Sequence, residues 1–243
     1  MRIQRVYTDQ PLEAGADITL EEDSSHHLYH VLRLKAGDGI NIFNDGMEYT
    51  AILGQIGKQG TTATLGKLVQ EEPEAKLAIH LLIGISRGER MDFALQKATE
   101  LGATRITPVF TKRCVVKLNE KKQASRMAHW HKIILNACEQ SGRCRLPQLD
   151  TPLEIGAAVS QHQSGTCLLL DHRSSKTLQE LKNPKRGVTI LVGPEGGLNG
   201  DERKLAKAQG YAGVRLGPRV MRTETAPLAA IAAIQTLWGD FSI

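Results

Sequence analysis

Three stretches in the last third of the chain bring glycine or a strand end together with groups that can hold or polarise a ligand. The first is Leu170-Asp171-His172-Arg173, and the second is Gly193-Pro194-Glu195-Gly196-Gly197, directly after the apolar run Val188-Thr189-Ile190-Leu191-Val192. The third reads Leu216-Gly217-Pro218-Arg219-Val220-Met221-Arg222-Thr223-Glu224-Thr225-Ala226. Glycine has no Cβ, so a flat heterocycle can lie against its main chain, where backbone N–H and C=O groups can read an adenine edge. Glycine loops at helix N-termini also cradle phosphates. The spacing here does not fit that use: 193–197 is not G-x-G-x-x-G, and it puts Glu195 where an anion would be repelled. The stretch from Gly60 to Gly66-Lys67 fails as a Walker loop, with five intervening residues and Leu68 in place of Ser or Thr. A carboxylate among glycines suits a cationic or neutral ligand, although the loop alone is equally an ordinary tight turn.

Other groups offer less. Cys114, Cys138, Cys144 and Cys167 form no C-x2-C pair, and the histidines at 26, 27, 30, 129 and 131 lack cysteine or carboxylate companions at ligand spacing, so no metal is expected. The net charge is +5, but it is unevenly spread. Residues 1–72 hold 6 Lys/Arg against 11 Asp/Glu, whereas ten basic residues between Arg105 and Pro147 face only Glu120 and Glu139. That run fits either a solvated helix face or a set of phosphate contacts.

The elements that must position these groups fall into two parts. Residues 1–72 read as a small β domain, with short alternating runs at 40–43 and 49–53 separated by turns at 44–46 and 57–60. One helix interrupts it, capped by Asp23, Ser24 or Ser25, with Leu28, Val31 and Leu32 at helical spacing and its end before Gly37. Charge and proline at 71–76 mark a boundary after residue 72. Residues 73–243 then alternate strands (79–85, 105–110, 167–171, 188–192, 214–216) with helices (89–101, 119–140, 152–160, 200–209, 224–238). Strands that are unbroken apolar runs imply a parallel sheet covered on both faces, with ligands bound beyond the strands' carboxyl ends. The last helix is apolar nearly all round, which calls for a partner subunit or for burial inside the chain. No run of 18 apolar residues and no leader-like start appears, so a cytoplasmic protein is expected.

Taken together, V-T-I-L-V-G-P-E-G-G-L from Val188, L-G-P-R-V-M-R-T-E-T-A from Leu216, H-L-Y-H-V-L-R-L-K-A-G-D from His27, and the stretches 85–102 and 137–143 resemble the SPOUT methyltransferases, specifically the RsmE family. The resemblance extends over the whole chain. It implies an α/β fold: a SPOUT-type α/β domain with a C-terminal trefoil knot and parallel sheet, preceded by a small PUA-like β-barrel serving RNA recognition. It also implies a homodimer that uses S-adenosylmethionine (SAM) to methylate N3 of a uridine in 16S ribosomal RNA on the assembled small subunit. Leu170, Val192, Gly193, Pro194, Gly196, Gly197, Leu216, Gly217, Val220, Met221, Thr225 and Ala226 would then line the cofactor pocket. Pro227 departs from the family pattern, in which a smaller residue is usual. The alternative is a non-catalytic RNA-binding or ribosome-assembly protein that keeps the same fold.

Uracil N3 carries a proton and becomes nucleophilic only as negative charge spreads onto O2 and O4, so the reaction needs a charge stabiliser, a base and in-line placement of the methyl group. Arg222 is the candidate stabiliser, being permanently charged, with a salt bridge to Glu224 or a phosphate contact as its other possible uses. Glu195 and Glu224 are candidate bases. Arg33, Arg87, Arg113, Lys117, Glu139 and Arg143 are candidate RNA contacts by position, each balanced against simple solvation.

Overall fold

The computed structural model describes residues 3–57, 60–114, 120–161 and 165–241. The chain divides into two compact units. One takes the chain as far as Glu74 together with Cys138–Leu146, and the other takes Ala75–Ala137 with the chain from Pro147 onward.

In the first unit, β1 (Arg5–Tyr7), β2 (Asp17–Leu20), β3 (Gly39–Asn44), β4 (Met47–Gly57) and β5 (Gly60–Glu71) form one mixed sheet in the order β1-β3-β4-β5-β2. Asp45 and Gly46 both have positive φ, 45° and 86°, the geometry that a tight β3–β4 hairpin requires. One face of the sheet, from Val6, Ile18, Leu20, Ile40, Ile42, Ala51, Leu53, Ala63 and Leu65, closes on Leu28. Leu28 lies just after α1 (Glu22–His26), in a π-helical turn over His27–Val31. The expected regular helix is therefore corrected in two respects. Glu21 occupies the N-cap position without a side-chain capping bond to the helix, while Ser25 is buried and its hydroxyl donates to the Leu20 carbonyl at 3.2 Å. The wider turn, closed by an i→i+5 bond from Leu32 N–H to the His27 carbonyl, also carries Val31 and Leu32 off the face that Leu28 occupies, and both are exposed.

Arg5 ties the segment Cys138–Leu146 into this unit. Its guanidinium, on a residue 8% exposed, donates to the carbonyls of Cys138 (2.6 Å), Glu139 (3.2 Å) and Arg143 (3.0 Å), and its Nε donates to the Glu48 carboxylate at 3.1 Å. The same group lies 4.3 Å from the centre of the Phe43 ring. A planar fork with every donor directed is a task for arginine that lysine cannot reproduce.

In the second unit, β6 (Ile79–Gly84), β7 (Arg105–Phe110), β8 (Gln148–Leu149), β10 (Thr166–Leu170), β11 (Val188–Val192) and β12 (Ala212–Val214) make a parallel sheet in the order β12-β10-β11-β6-β7-β8, and β9 (Leu153–Glu154) pairs with the far end of β7. Every residue of β6 and β11 is buried because the two faces meet different layers. Ile79, Leu81 and Ile83 pack with α2 (Gly88–Glu100), α3 (Glu120–Ser141) and α6 (Thr225–Trp238) through Met91, Leu95, Trp130, Ile134, Ile231 and Ile234. Leu82 faces the opposite way, into a cluster with Ile155 and Val159 of α4 (Ile155–Ser160) and Ala206 of α5 (Gly200–Ala208). Among the described residues no helix is long and apolar enough to cross a membrane.

Two outcomes follow from the first unit. Arg5→Ala leaves Glu48 buried without its cation and removes a donor from three carbonyls, and should lower unfolding stability by about 3 to 5 kcal/mol in urea titrations. Burial pushes the Glu139 carboxyl up to about 7, against the opposing effects of the Tyr7 N–H and the Arg5 charge. Because the folded value lies above the unfolded one, the folded state holds the extra proton, and stability falls as pH rises from about 4.5 through about 7. Glu139→Gln should therefore match the parent at pH 4 and exceed it at pH 8 by about 1 to 2 kcal/mol, allowing for solvent screening.

Candidate active site

The strand order explains how three loops distant in sequence become neighbours. The chain leaves β8 and β9, crosses to β10, returns to place β11 between β10 and β6, and then lays β12 outside β10. The carboxyl ends of β12, β10 and β11 are consequently side by side, and the loops that follow them enclose a cavity of about 290 Å³. Its apolar floor includes Leu169, Leu170, Val192, Val214, Leu216 and Ala226.

Each loop is fixed by a specific bond. Asp171 N–H donates to the Val214 carbonyl at 2.9 Å and the Ser174 hydroxyl to the Gly213 carbonyl at 2.6 Å, joining the first loop to β12. The second loop closes on itself through Gly197 N–H to the Pro194 carbonyl, 2.7 Å. It is wound so tightly that a Cβ on Gly193 would lie 2.8 Å from the Leu198 nitrogen, and one on Gly84, at the end of β6, would collide with the Pro194 nitrogen. The third loop is tied to the second by the Thr223 hydroxyl, which donates to the Gly193 carbonyl at 2.8 Å and lies 3.5 Å from the Ser86 hydroxyl. Asn199 and Glu202 then start α5 as a reciprocal capping pair, and the second Glu202 oxygen accepts Lys112 N–H at 2.7 Å.

Of the residues expected here, Leu170, Val192, Gly193, Pro194, Gly196, Gly197, Leu216, Val220, Met221 and Ala226 line the cavity, as do Glu195 and Arg222. Gly217, Thr225 and Glu224 do not line it. Gly217 serves instead as a positive-φ turn (80°), and Thr225 opens α6, its N–H donating to the Arg222 carbonyl at 3.0 Å.

The charge distribution corrects the expectation for Glu195. One carboxylate oxygen accepts Arg87 N–H at 3.0 Å and lies 3.4 Å from the Arg90 guanidinium, so the group secures the approach to α2. Burial acts to raise its pKa, but the N–H groups of Arg87 and Glu195 itself, the Arg90 charge and the Ser86 hydroxyl outweigh it and hold the carboxyl below its ordinary value. That makes Glu195 a weak proton acceptor. The cavity wall as a whole is cationic: Arg113, Arg173, Arg203, Arg215, Arg219 and Arg222 line it, against only Asp171 and Glu195. Asp171 lies near Arg173 (3.4 Å) and Arg203 (3.7 Å), and Arg113 donates to the Gly196 carbonyl at 2.9 Å. Among the described residues Arg219 and Arg222 enter no ion pair, so the salt bridge weighed between Arg222 and Glu224 is not formed. Arg219 was overlooked in the sequence although it sits within the third loop. Arg203, on α5, carries no local signal, since only the fold brings it to the cavity.

The remaining positional candidates separate clearly. Arg87 and Arg33 are exposed, and Arg113 is part of the cavity wall. Glu139 and Arg143 do not offer free groups to RNA: the Glu139 carboxylate is largely buried and accepts Tyr7 N–H at 3.4 Å, while the Arg143 guanidinium lies 3.9 Å from Glu72 and is 14% exposed. Lys117 lies outside the described residues.

Comparison with known proteins agrees with this geometry. A family model described as an RNA methyltransferase domain matches residues 73–235, and one described as an RNA methyltransferase PUA domain matches residues 20–65. The ribosomal RNA small subunit methyltransferase E of Buchnera aphidicola is 32% identical over 99% of this chain and 96% of its own length. A Legionella pneumophila protein solved in complex with the bound cofactor SAM superposes with a TM-score of 0.95 at 36% identity, covering 99% of this chain and all of that one. The ribosomal RNA small subunit methyltransferase E of Neisseria gonorrhoeae, solved bound to S-adenosyl methionine, gives 0.91 at 38% identity with the same coverage. A match across most of the second unit and likeness along nearly the full length lead to one placement: the chain belongs to the ribosomal RNA small subunit methyltransferase E family of RNA methyltransferases.

Proposed function

We propose that this chain uses S-adenosylmethionine to methylate N3 of one uridine in 16S ribosomal RNA of the small subunit. The observation that carries the reading is the convergence of three loops on adjacent strand ends, around a cavity with an apolar floor and main-chain walls. A volume near the lower bound of small-ligand sites, roughly 300 Å³, suits a ligand of this size held closely. Leu170, Val192, Leu216 and Ala226 would hold the adenosine part by apolar contact, and the 193–197 backbone would supply polar groups to its edge. S-adenosylmethionine supplies an electrophilic methyl group when bound.

The chain's own work is to bring uracil to that methyl and to stabilise the charge that forms. Arg222 and Arg219, both exposed at the cavity and without ion pairs among the described residues, are suited to meet charge spreading onto O2 and O4 and to hold the adjoining phosphates. Glu195 is unsuited to accept the N3 proton. Glu224, the other carboxylate considered, does not line the cavity, so neither of the two is placed to take that proton.

The same reading places the protein in the cytoplasm as a homodimer with a knotted C-terminal segment. Support for the dimer comes from α6, where one flank packs on the core while Ala229, Ala232 and Ala233 are only half buried and Leu237 is 42% exposed. Support for the knot comes from the third loop, which returns against Gly193 before α6 packs on α2.

The deciding experiment adds purified protein and isotopically labelled cofactor to small subunits from cells lacking the gene and maps the 16S RNA by mass spectrometry. Label on N3 of a single uridine is expected, and label elsewhere or none at all rejects the assignment. Arg222→Ala should reduce methyl transfer at least a hundredfold, the order found when one charge-stabilising donor is removed, while calorimetric affinity for S-adenosylmethionine stays within about threefold. Gly193→Val should do the reverse at the first step, weakening cofactor binding by tenfold or more because the added carbons force the second loop open.

A further inference from the structure

The first unit carries a second cavity of about 520 Å³, bordered by Leu20, Glu22, His26, Tyr29, His30 and the ends of the β4–β5 hairpin at Gly57 and Gly60. Its rings form a contiguous cluster. The His26 and His30 centroids are 4.6 Å apart at 39°, and Tyr29 meets His30 edge-on at 4.6 Å and 78°. Both histidines and Tyr29, at 40% exposure, face solvent in a chain with only 4% aromatic residues.

The backbone that presents them is irregular. The π-helical turn over His27–Val31 leaves Leu32 N–H bonded to the His27 carbonyl (3.0 Å) and Leu34 N–H to the Leu28 carbonyl (3.0 Å). Arg33 follows at φ 55°, in the left-handed region that a long side chain occupies only at a cost. Leu28 alone is fully buried in the turn, and Tyr29, Val31 and Arg33 keep large exposed surfaces. Costly backbone that displays rings, with basic Arg33 and Lys35 just beyond, is the arrangement that single-stranded nucleic acid uses: planar faces for stacking and nearby cations for the phosphates.

We propose that this cavity is a binding site for an unpaired nucleobase, which stacks on the face of the Tyr29 ring with the nearly perpendicular His30 ring beside it, while Arg33 contacts the flanking phosphate. The proposal rests on the RNA reading above and adds a second point of grip away from the methylated base. It also accounts for an acidic unit serving RNA, since stacking needs little net charge.

The test uses the full chain and fluorescein-labelled eight-nucleotide RNAs, oligo(A) and oligo(U), with a blunt RNA duplex as control, read by fluorescence anisotropy at fixed salt. Tyr29→Ala should weaken binding of a single strand about tenfold and leave duplex binding unchanged. Tyr29→Phe should restore it, and His30→Ala should weaken it independently. Calorimetric affinity for S-adenosylmethionine should be the same in all variants, and the KM for small subunits should rise in Tyr29→Ala with kcat preserved. Unchanged single-strand affinity in both alanine variants overturns the proposal, even if the chain methylates normally. A defect on whole subunits with none on free RNA also overturns it and assigns the surface to a protein contact. Tyr29-dependent binding of single strands by a chain that methylates nothing would keep this site and reject the enzymatic reading instead.

Discussion

The hydrogen bond from the Thr223 hydroxyl to the Gly193 carbonyl is the contact on which the active cavity depends. Without it the third loop, exposed over most of its length, has little to hold it against the second. Val220 is 73% exposed, and Arg219 and Arg222 are exposed on either side of it. Glu195 makes a parallel attachment from the second loop to the approach of α2, and Gly84 lets β6 and the Pro194 backbone meet without side chains between them. The result is that short polar side chains and missing ones, rather than bulky apolar groups, set the distance between cofactor loops and the cationic groups beside them. A site built this way keeps its main-chain donors aimed whether or not a ligand is present, which is the preorganisation that charge-stabilising catalysis requires.

Much of this was legible from residues 188–192 and 79–85, where unbroken apolar runs demanded burial on both faces and therefore a parallel sheet. Glycines after those runs marked where backbone would be open to a ligand. Three things were hidden. The direction of Glu195 was one, because the N–H that captures it belongs to Arg87, 108 residues away. The cationic character of the cavity was another, since Arg113, Arg203 and Arg219 converge only when β11 is inserted between β10 and β6. The π-helical turn was the third: Leu28, Val31 and Leu32 fit the spacing of a regular helix, and one residue more per turn, which no local signal announces, sends two of them to solvent.

Electrostatics divides the labour between the units in an unexpected way. The basic run from Arg105 to Pro147 is partly neutralised within the chain, with Arg105 held 2.7 Å from Asp150, and Arg143 and Arg145 directed at Glu72 and Asp45. Surplus charge counted along a sequence is therefore a poor map of surplus charge on a surface. Among the described residues, Arg219 and Arg222 of the third loop, together with Arg113 and Arg215, line the cavity without an ion pair.

Arg5 has one further implication. Its partners at Cys138, Glu139 and Arg143 are made more than 130 residues after it, so the first unit is discontinuous in the chain. During synthesis, at roughly 5 to 20 residues per second, the amino-terminal sheet must wait on the ribosome for several seconds with its arginine paired to Glu48 but lacking its three carbonyl acceptors. Its completion is coupled to the emergence of α2, β7 and α3. This chain thus matures in an order set by one guanidinium, with the amino-terminal module finished only after 63 of the second unit's 160 residues have been translated.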